Sequence, residues 1–157
     1  MLRKTAPHHY FFKVDLNWLS GREGIVTAKD VKDKIYVATP AVFSGGIPDK
    51  WGPEHLLLGA LCSSFMTTFL SIAEKQGVAL VHFELSAIGH IQPERNHLVF
   101  ATIDVYPIIE IAAAADRTKL ADILIKTHQH CIVTNSIKSQ VTYHEEVLLN
   151  NPLLSHH

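Results

Sequence analysis

Cysteine is scarce in this chain: 157 residues hold only Cys62 and Cys131, too few for a disulfide-stapled secreted scaffold. Two thiols suit a reducing compartment, where a buried cysteine acts as a small apolar group. An excess of either charge is also missing, since 14 Lys and Arg stand against 15 Asp and Glu. No whole-protein field draws in a phosphate backbone or an anionic lipid, so neither nucleic acid nor a membrane is an expected partner. The opening Met1 to Trp18 has no apolar core of signal-peptide length, and no stretch is read as reaching the roughly 20 apolar residues that span a bilayer. A cytoplasmic protein is the default expectation. Repeats, low-complexity tracts and linkers are lacking too, and one domain over residues 1–157 is expected, with its core at 10–144 and a tail at 145–157.

What is present is apolar material, 47% of residues against 18% charged, which is ample for a core and for a share of subunit interface. The first forty residues read as strands: Tyr10 to Leu19 alternates imperfectly, Gly21-Arg22-Glu23-Gly24 has turn chemistry, and Ile25-Val26-Thr27 and Ile35-Tyr36-Val37 are β-branched or aromatic runs. A loop from Thr39 to Gly52 hands over to a long helix. Pro53 suits its first position, Glu54 meets the positive end of its dipole, and Gly77 stops it. Strands at Ala79 to Ile91 and His97 to Tyr106 flank a connection at Gln92–Asn96, with Pro107 closing the second. A second helix is read over Ile111 to His130, then a helical turn over Cys131 to Ile137 and a last strand at Gln140 to His144. Strands, a buried helix, a hairpin, a helix and a strand make an α+β fold.

Four separated segments then line up in order. Gly21-Arg22-Glu23-Gly24 resembles the Gly-Arg-acidic-Gly turn of the OsmC/Ohr superfamily (osmotically inducible and organic-hydroperoxide-resistance proteins), and Gly52-Pro53-Glu54-His55-Leu56-Leu57 resembles the start of that family's central helix. Leu58 to Phe65 is similar to the stretch carrying its reactive thiol, and His128 to Ser136 to the stretch carrying its second cysteine. The resemblance implies curved antiparallel sheets wrapped around long central helices in an intertwined homodimer. It also implies reduction of organic hydroperoxides: a thiolate becomes a sulfenic acid, a second cysteine condenses with it, and a dithiol reductant restores both, with no cofactor and no metal. On that resemblance Cys62, Cys131, Arg22 and Glu54 are the candidate catalytic residues, with Arg22 and Glu54 expected as a buried pair.

One departure matters. The family's reactive thiol falls ten residues after the helix-start glutamate, and here that position is Ser64, while Cys62 lies two residues earlier. At about 100° per residue the two side chains point nearly opposite ways. Three readings stay open: Cys62 reaches the pocket and pairs with Cys131; the chain has left peroxidase chemistry and binds a small apolar ligand; or Ser64 is an introduced change. A serine hydroxyl does not replace a thiolate against a peroxide, so Ser64 is read as a pocket-lining residue.

Phe43, Ile47, Trp51 and His55 complete the expected lining, under a flexible flap at Ser44-Gly45-Gly46. Eleven histidines invite a metal, above all at His128-x-His130-Cys131, but imidazoles two apart on a helix end diverge and no second cluster completes a ligand set. An arginine in a turn is ordinarily solvated, and an acidic residue in a first helical turn is explained by the dipole alone.

Overall fold

The structure is a computed structural model, and it describes residues 9–150. The chain gathers into two compact units, one ending at Leu56 and the other beginning at Leu57. The fold is α+β.

In the first unit β1 (Asp15–Ser20), β2 (Glu23–Ala28) and β3 (Val31–Ala38) form an antiparallel sheet in that order. Two-residue turns make the meander local, and Gly21 supplies the positive φ of 50° that the first turn needs. Register places Leu16, Val26 and Ile35 side by side, and likewise Trp18, Gly24 and Val37, so one face is continuously apolar. The strand expected from Tyr10 begins only at Asp15.

Residues 39–52 are stitched rather than open. Ala38 N–H donates to Trp51 O at 2.9 Å, Phe43 N–H to Pro40 O at 3.0 Å, Gly46 N–H to Phe43 O at 2.9 Å and Ile47 N–H to Thr39 O at 2.9 Å. The expected flexible flap is therefore a bonded loop.

Helix α1 (Pro53–Lys75) follows. Its start is capped in an unusual way: His55 Nδ1 accepts the Gly52 N–H at 2.9 Å, the reach-back from the third helical position that Glu or Gln makes in a capping box. Its end is a Schellman motif, with Val78 N–H on Ala73 O at 3.0 Å, Gly77 N–H on Glu74 O at 3.1 Å, and Gly77 at a φ of 68°. Between His55 and Ala73 there is no Asp, Glu, Lys or Arg. By length and composition α1 could cross a membrane, which corrects the reading that no stretch has that reach; uncharged Gly, Ser and Thr extend the apolar run.

In the second unit β4 (Leu80–Glu94) and β5 (His97–Ile111) make a long antiparallel hairpin closed by Arg95-Asn96. A short 3-10 turn leads into α2 (Arg117–His130), and β6 (Gln140–Tyr143) and β7 (Glu146–Leu149) then pair with β5 in parallel. The helix crossover is what permits parallel pairing. Pro107 does not end β5: it falls at the break between β6, which stops opposite Val105, and β7, which starts opposite Ile108. Ile111 accordingly belongs to the sheet, and the second helix starts six residues later than expected.

Leu61, Phe65, Phe69 and Ala73 recur every four residues on α1 and are buried with Ile103, Val105, Ile109 and Ile111 of β5 and Leu120 and Ile123 of α2. Truncating Phe65 or Phe69 to alanine would cost about 3–5 kcal/mol.

Candidate functional site

The second unit holds the thiols. Ser64 lies three residues after buried Leu61 and one before buried Phe65, so it rides the edge of the core-facing stripe of α1. Cys131 ends α2 and is wholly buried. Its thiol donates to Ser64 Oγ at 3.3 Å, and the Val133 N–H points at the same oxygen at 3.5 Å. Thr134 Oγ1 donates to the Cys131 sulfur at 3.2 Å and lies 2.8 Å from the Tyr143 hydroxyl. The Tyr143 ring stacks on His128 at 4.2 Å and on Phe65 at 5.2 Å between centroids. Burial pushes the Tyr143 phenol above its ordinary value, against the opposing bond to Thr134. His128 Nε2 lies 2.8 Å from Glu145 Oε1, off the line a hydrogen bond needs.

Cys62 is half-buried, burial pushes its thiol up, and both cysteines are free. The Cys131 thiol is thus bonded to Ser64 and Thr134, and not to Cys62. The first of these is the relation that counting ten residues from Glu54 makes legible only on the Ser64 side.

The first unit holds a cavity of about 410 Å³, lined mainly by Leu16, Trp18, Val26, Val37, Phe43 and Leu56, with Arg22 and Glu54 among its polar side chains. Arg22 is exposed, and its Nη1 donates to the Ser44 carbonyl. Gly45 is needed there: a Cβ on it would stand 2.8 Å from Arg22 Cζ, and its φ is 74°. The expected Arg22–Glu54 ion pair is absent among the described residues, because the loop carbonyl takes the guanidinium. Glu54 Oε2 is buried with no hydrogen-bond partner, a state that costs about 1–3 kcal/mol for a polar atom. Gly52 makes room for it, since a Cβ there would stand 3.0 Å from that oxygen and 2.3 Å from Pro40 Cγ.

Of the expected lining residues only Phe43 borders this cavity. Trp51 and His55 meet edge to face at 6.1 Å and border a separate shallow cleft with Asp49 and Lys50. His55 is explained by its capping bond. Ile47 is half-buried in the loop, and Ser64 sits with Cys131.

A third group was not legible in sequence. On β5, Asp104 takes His144 Nε2 at 2.9 Å on one oxygen and His90 Nε2 at 3.2 Å on the other, and the Tyr106 ring stacks on His144 at 4.8 Å. The His144 hydrogen bond, with the weaker help of His90, holds the Asp104 carboxyl below the usual carboxylate range. Among the described residues no three His, Cys, Asp or Glu side chains are grouped to hold a metal ion.

The uncharacterized protein YmaD of Bacillus subtilis is 22% identical over 139 residues, covering 87% of this chain and 91% of its own. An OsmC-like protein of unknown function from Vibrio cholerae superposes with a TM-score of 0.78 at 17% identity, over 87% of this chain and 99% of its own. An organic hydroperoxide resistance protein from Elizabethkingia anophelis superposes with a TM-score of 0.70 at 18% identity, over 92% of this chain and 100% of its own. The family model described as OsmC-like protein matches residues 46–146, which takes in α1, the β4–β5 hairpin, α2 and β6, and the chain belongs to that family.

Proposed function

We propose that this chain binds a small, largely apolar molecule in the cavity beside β1–β3, and that it does not run a two-cysteine reduction cycle. The Cys131–Ser64 contact carries this reading. A two-cysteine cycle needs a thiolate to take the peroxide oxygen and a second thiol to displace water from the resulting sulfenic acid. A hydroxyl at the first position does neither step. Two features count against Cys62 in that role: it lies two residues before Ser64, on nearly the opposite side of the helix, and its burial favours the protonated form whereas the thiolate is the nucleophile.

The names of the structural relatives support a place in organic-peroxide stress, with a hydroperoxide or its alcohol as the ligand class. A second reading keeps peroxidase activity on Cys131 alone: the thiolate attacks the terminal peroxide oxygen, an alcohol leaves, and an external dithiol reduces the sulfenic acid. The Thr134 hydroxyl bond to the sulfur favours it, since a thiolate would accept that bond more strongly.

One experiment separates the two. Reduced protein is mixed with excess cumene hydroperoxide, and free thiols and intact mass are followed. Binding without turnover leaves both thiols titratable; a sulfenic acid on Cys131 or a Cys62–Cys131 disulfide would sink the first reading.

The working unit we propose is a homodimer. Trp18 is 73% exposed and Leu16 63%, an apolar face of the kind that a second copy covers. Small residues Gly59, Ala60, Ser63 and Thr67 are exposed along α1, where they would let another helix approach closely. Light scattering at the dimer mass is the expected result.

A further inference from the structure

The geometry points to a second binding site, in the groove between α1 and α2, for a small molecule that carries a diphosphate group. It uses neither the first-unit cavity nor the thiols. Two contacts frame the groove: at one end the Cys131 thiol meets Ser64, and at the other Gln76 Nε2 donates to Asp122 Oδ2 at 2.9 Å. The two helices therefore run side by side in opposite directions, and a cleft of about 670 Å³ opens between the contacts.

Its walls supply positive charge and hydrogen-bond donors. Lys75 stands on the α1 side with Thr68, Ser71 and Gln76, while Lys126 and His130 stand one turn apart on the α2 side. Among the described residues that line the cleft, none is Asp or Glu. Asp122 lies one turn before Lys126, outside the lining, and takes its Nζ at 2.6 Å, which fixes that ammonium and offsets part of its charge. The side chains of Thr68, Ser71, Lys75 and His130 have no hydrogen bond or ion pair among the described residues, so each is free to turn to a ligand. Ser71 and Lys75 lie about 80° and 120° around α1 from Ser63, which puts the groove on a different side of the helix from the exposed small residues.

Charge offered from both walls suits an anion that presents charge in two directions. Each phosphoryl group brings three acceptor oxygens to ammonium, hydroxyl and amide donors, where a carboxylate brings two. Lysines act as point charges and impose no forked geometry, so two linked phosphoryl groups can settle across the groove. A diphosphate thus meets both helices with one molecule.

Calorimetric titration of the full chain with pyrophosphate, phosphate and glutarate, at one ionic strength in metal-free buffer, tests this. Pyrophosphate is expected to bind at least about tenfold more tightly than either of the others. Lys75→Gln should weaken it about fivefold or more, whereas Lys119→Gln, which removes a like charge from α2 outside the groove, should leave it within about twofold. Both lysines are exposed, so neither change disturbs the core. Should either variant not fold, the three-probe ranking on the unaltered chain decides alone. Equal losses in the two variants would reduce the effect to net charge and overturn the inference. So would phosphate or glutarate matching pyrophosphate, or no pyrophosphate binding at millimolar concentrations.

Discussion

The Cys131 thiol and the Ser64 hydroxyl face one another at 3.3 Å, sulfur as donor and oxygen as acceptor, across 67 residues of sequence. The contact joins the C-terminal end of α2 to the core-facing edge of α1, and both partners are fixed by elements with buried faces.

A sulfur at position 64 would therefore lie within reach of Cys131. Ser64→Cys is expected to form an intramolecular disulfide under mild oxidation, after a small rotation that brings the sulfurs to the bonding distance of about 2.05 Å. Closing so long a loop would add about 4 kcal/mol by the unfolded-chain entropy account, less any strain. Mass spectrometry without reductant and thermal melts before and after oxidation check it. Persistence of three free thiols would show that the two positions do not meet as described.

Cys62 should behave as a quiet thiol. Burial raises its value above the ordinary 9.0, so the folded chain holds the proton more tightly than the unfolded one does. The resulting stability contribution is complete below the unfolded value and is lost as pH rises through the folded one. Native-state alkylation of Cys62 by iodoacetamide at pH 7 is expected to run slower than that of an unstructured cysteine peptide, and to accelerate only in strongly alkaline solution. Equal rates at pH 7 would contradict it.

Asp104 acts at the acid end. Its carboxyl is held below the ordinary 3.8 by the His144 bond first, so its contribution is present above that value and disappears as pH falls through the lower folded one. Asp104→Asn should lower the melting temperature at pH 5–6, where the carboxylate is charged and bonded to His144 and His90, and the difference from the unaltered chain should shrink toward pH 2–3. Parallel curves across that range would remove Asp104 from the account.

The limits of α1 were legible because Gly52, Pro53 and Gly77 are punctuation with local causes, and the stripe Leu61, Phe65, Phe69 has one period throughout. The strands of the first unit were legible as well, since their turns close within two residues. Non-local partners were harder. Nothing near Arg22 announces a backbone carbonyl 22 residues on, and a glutamate without a partner looks in sequence like any other helix-start acid. Strand β7 escaped notice because Glu146–Leu149 is short and pairs with β5 only after a crossover. His55 was legible as a residue of interest, but its capping role replaced a helix-start glutamate or glutamine that sequence rules look for.

Strand β5 carries β4 on one flank and both β6 and β7 on the other. The β4–β5 hairpin needs only a two-residue turn and closes quickly, whereas the two parallel additions wait for α2 to form and cross over. Cys131, Thr134 and Tyr143 lie on or beside that crossover, so the cluster around Ser64 rests on contacts between residues far apart in sequence, whereas the hairpin rests on neighbours.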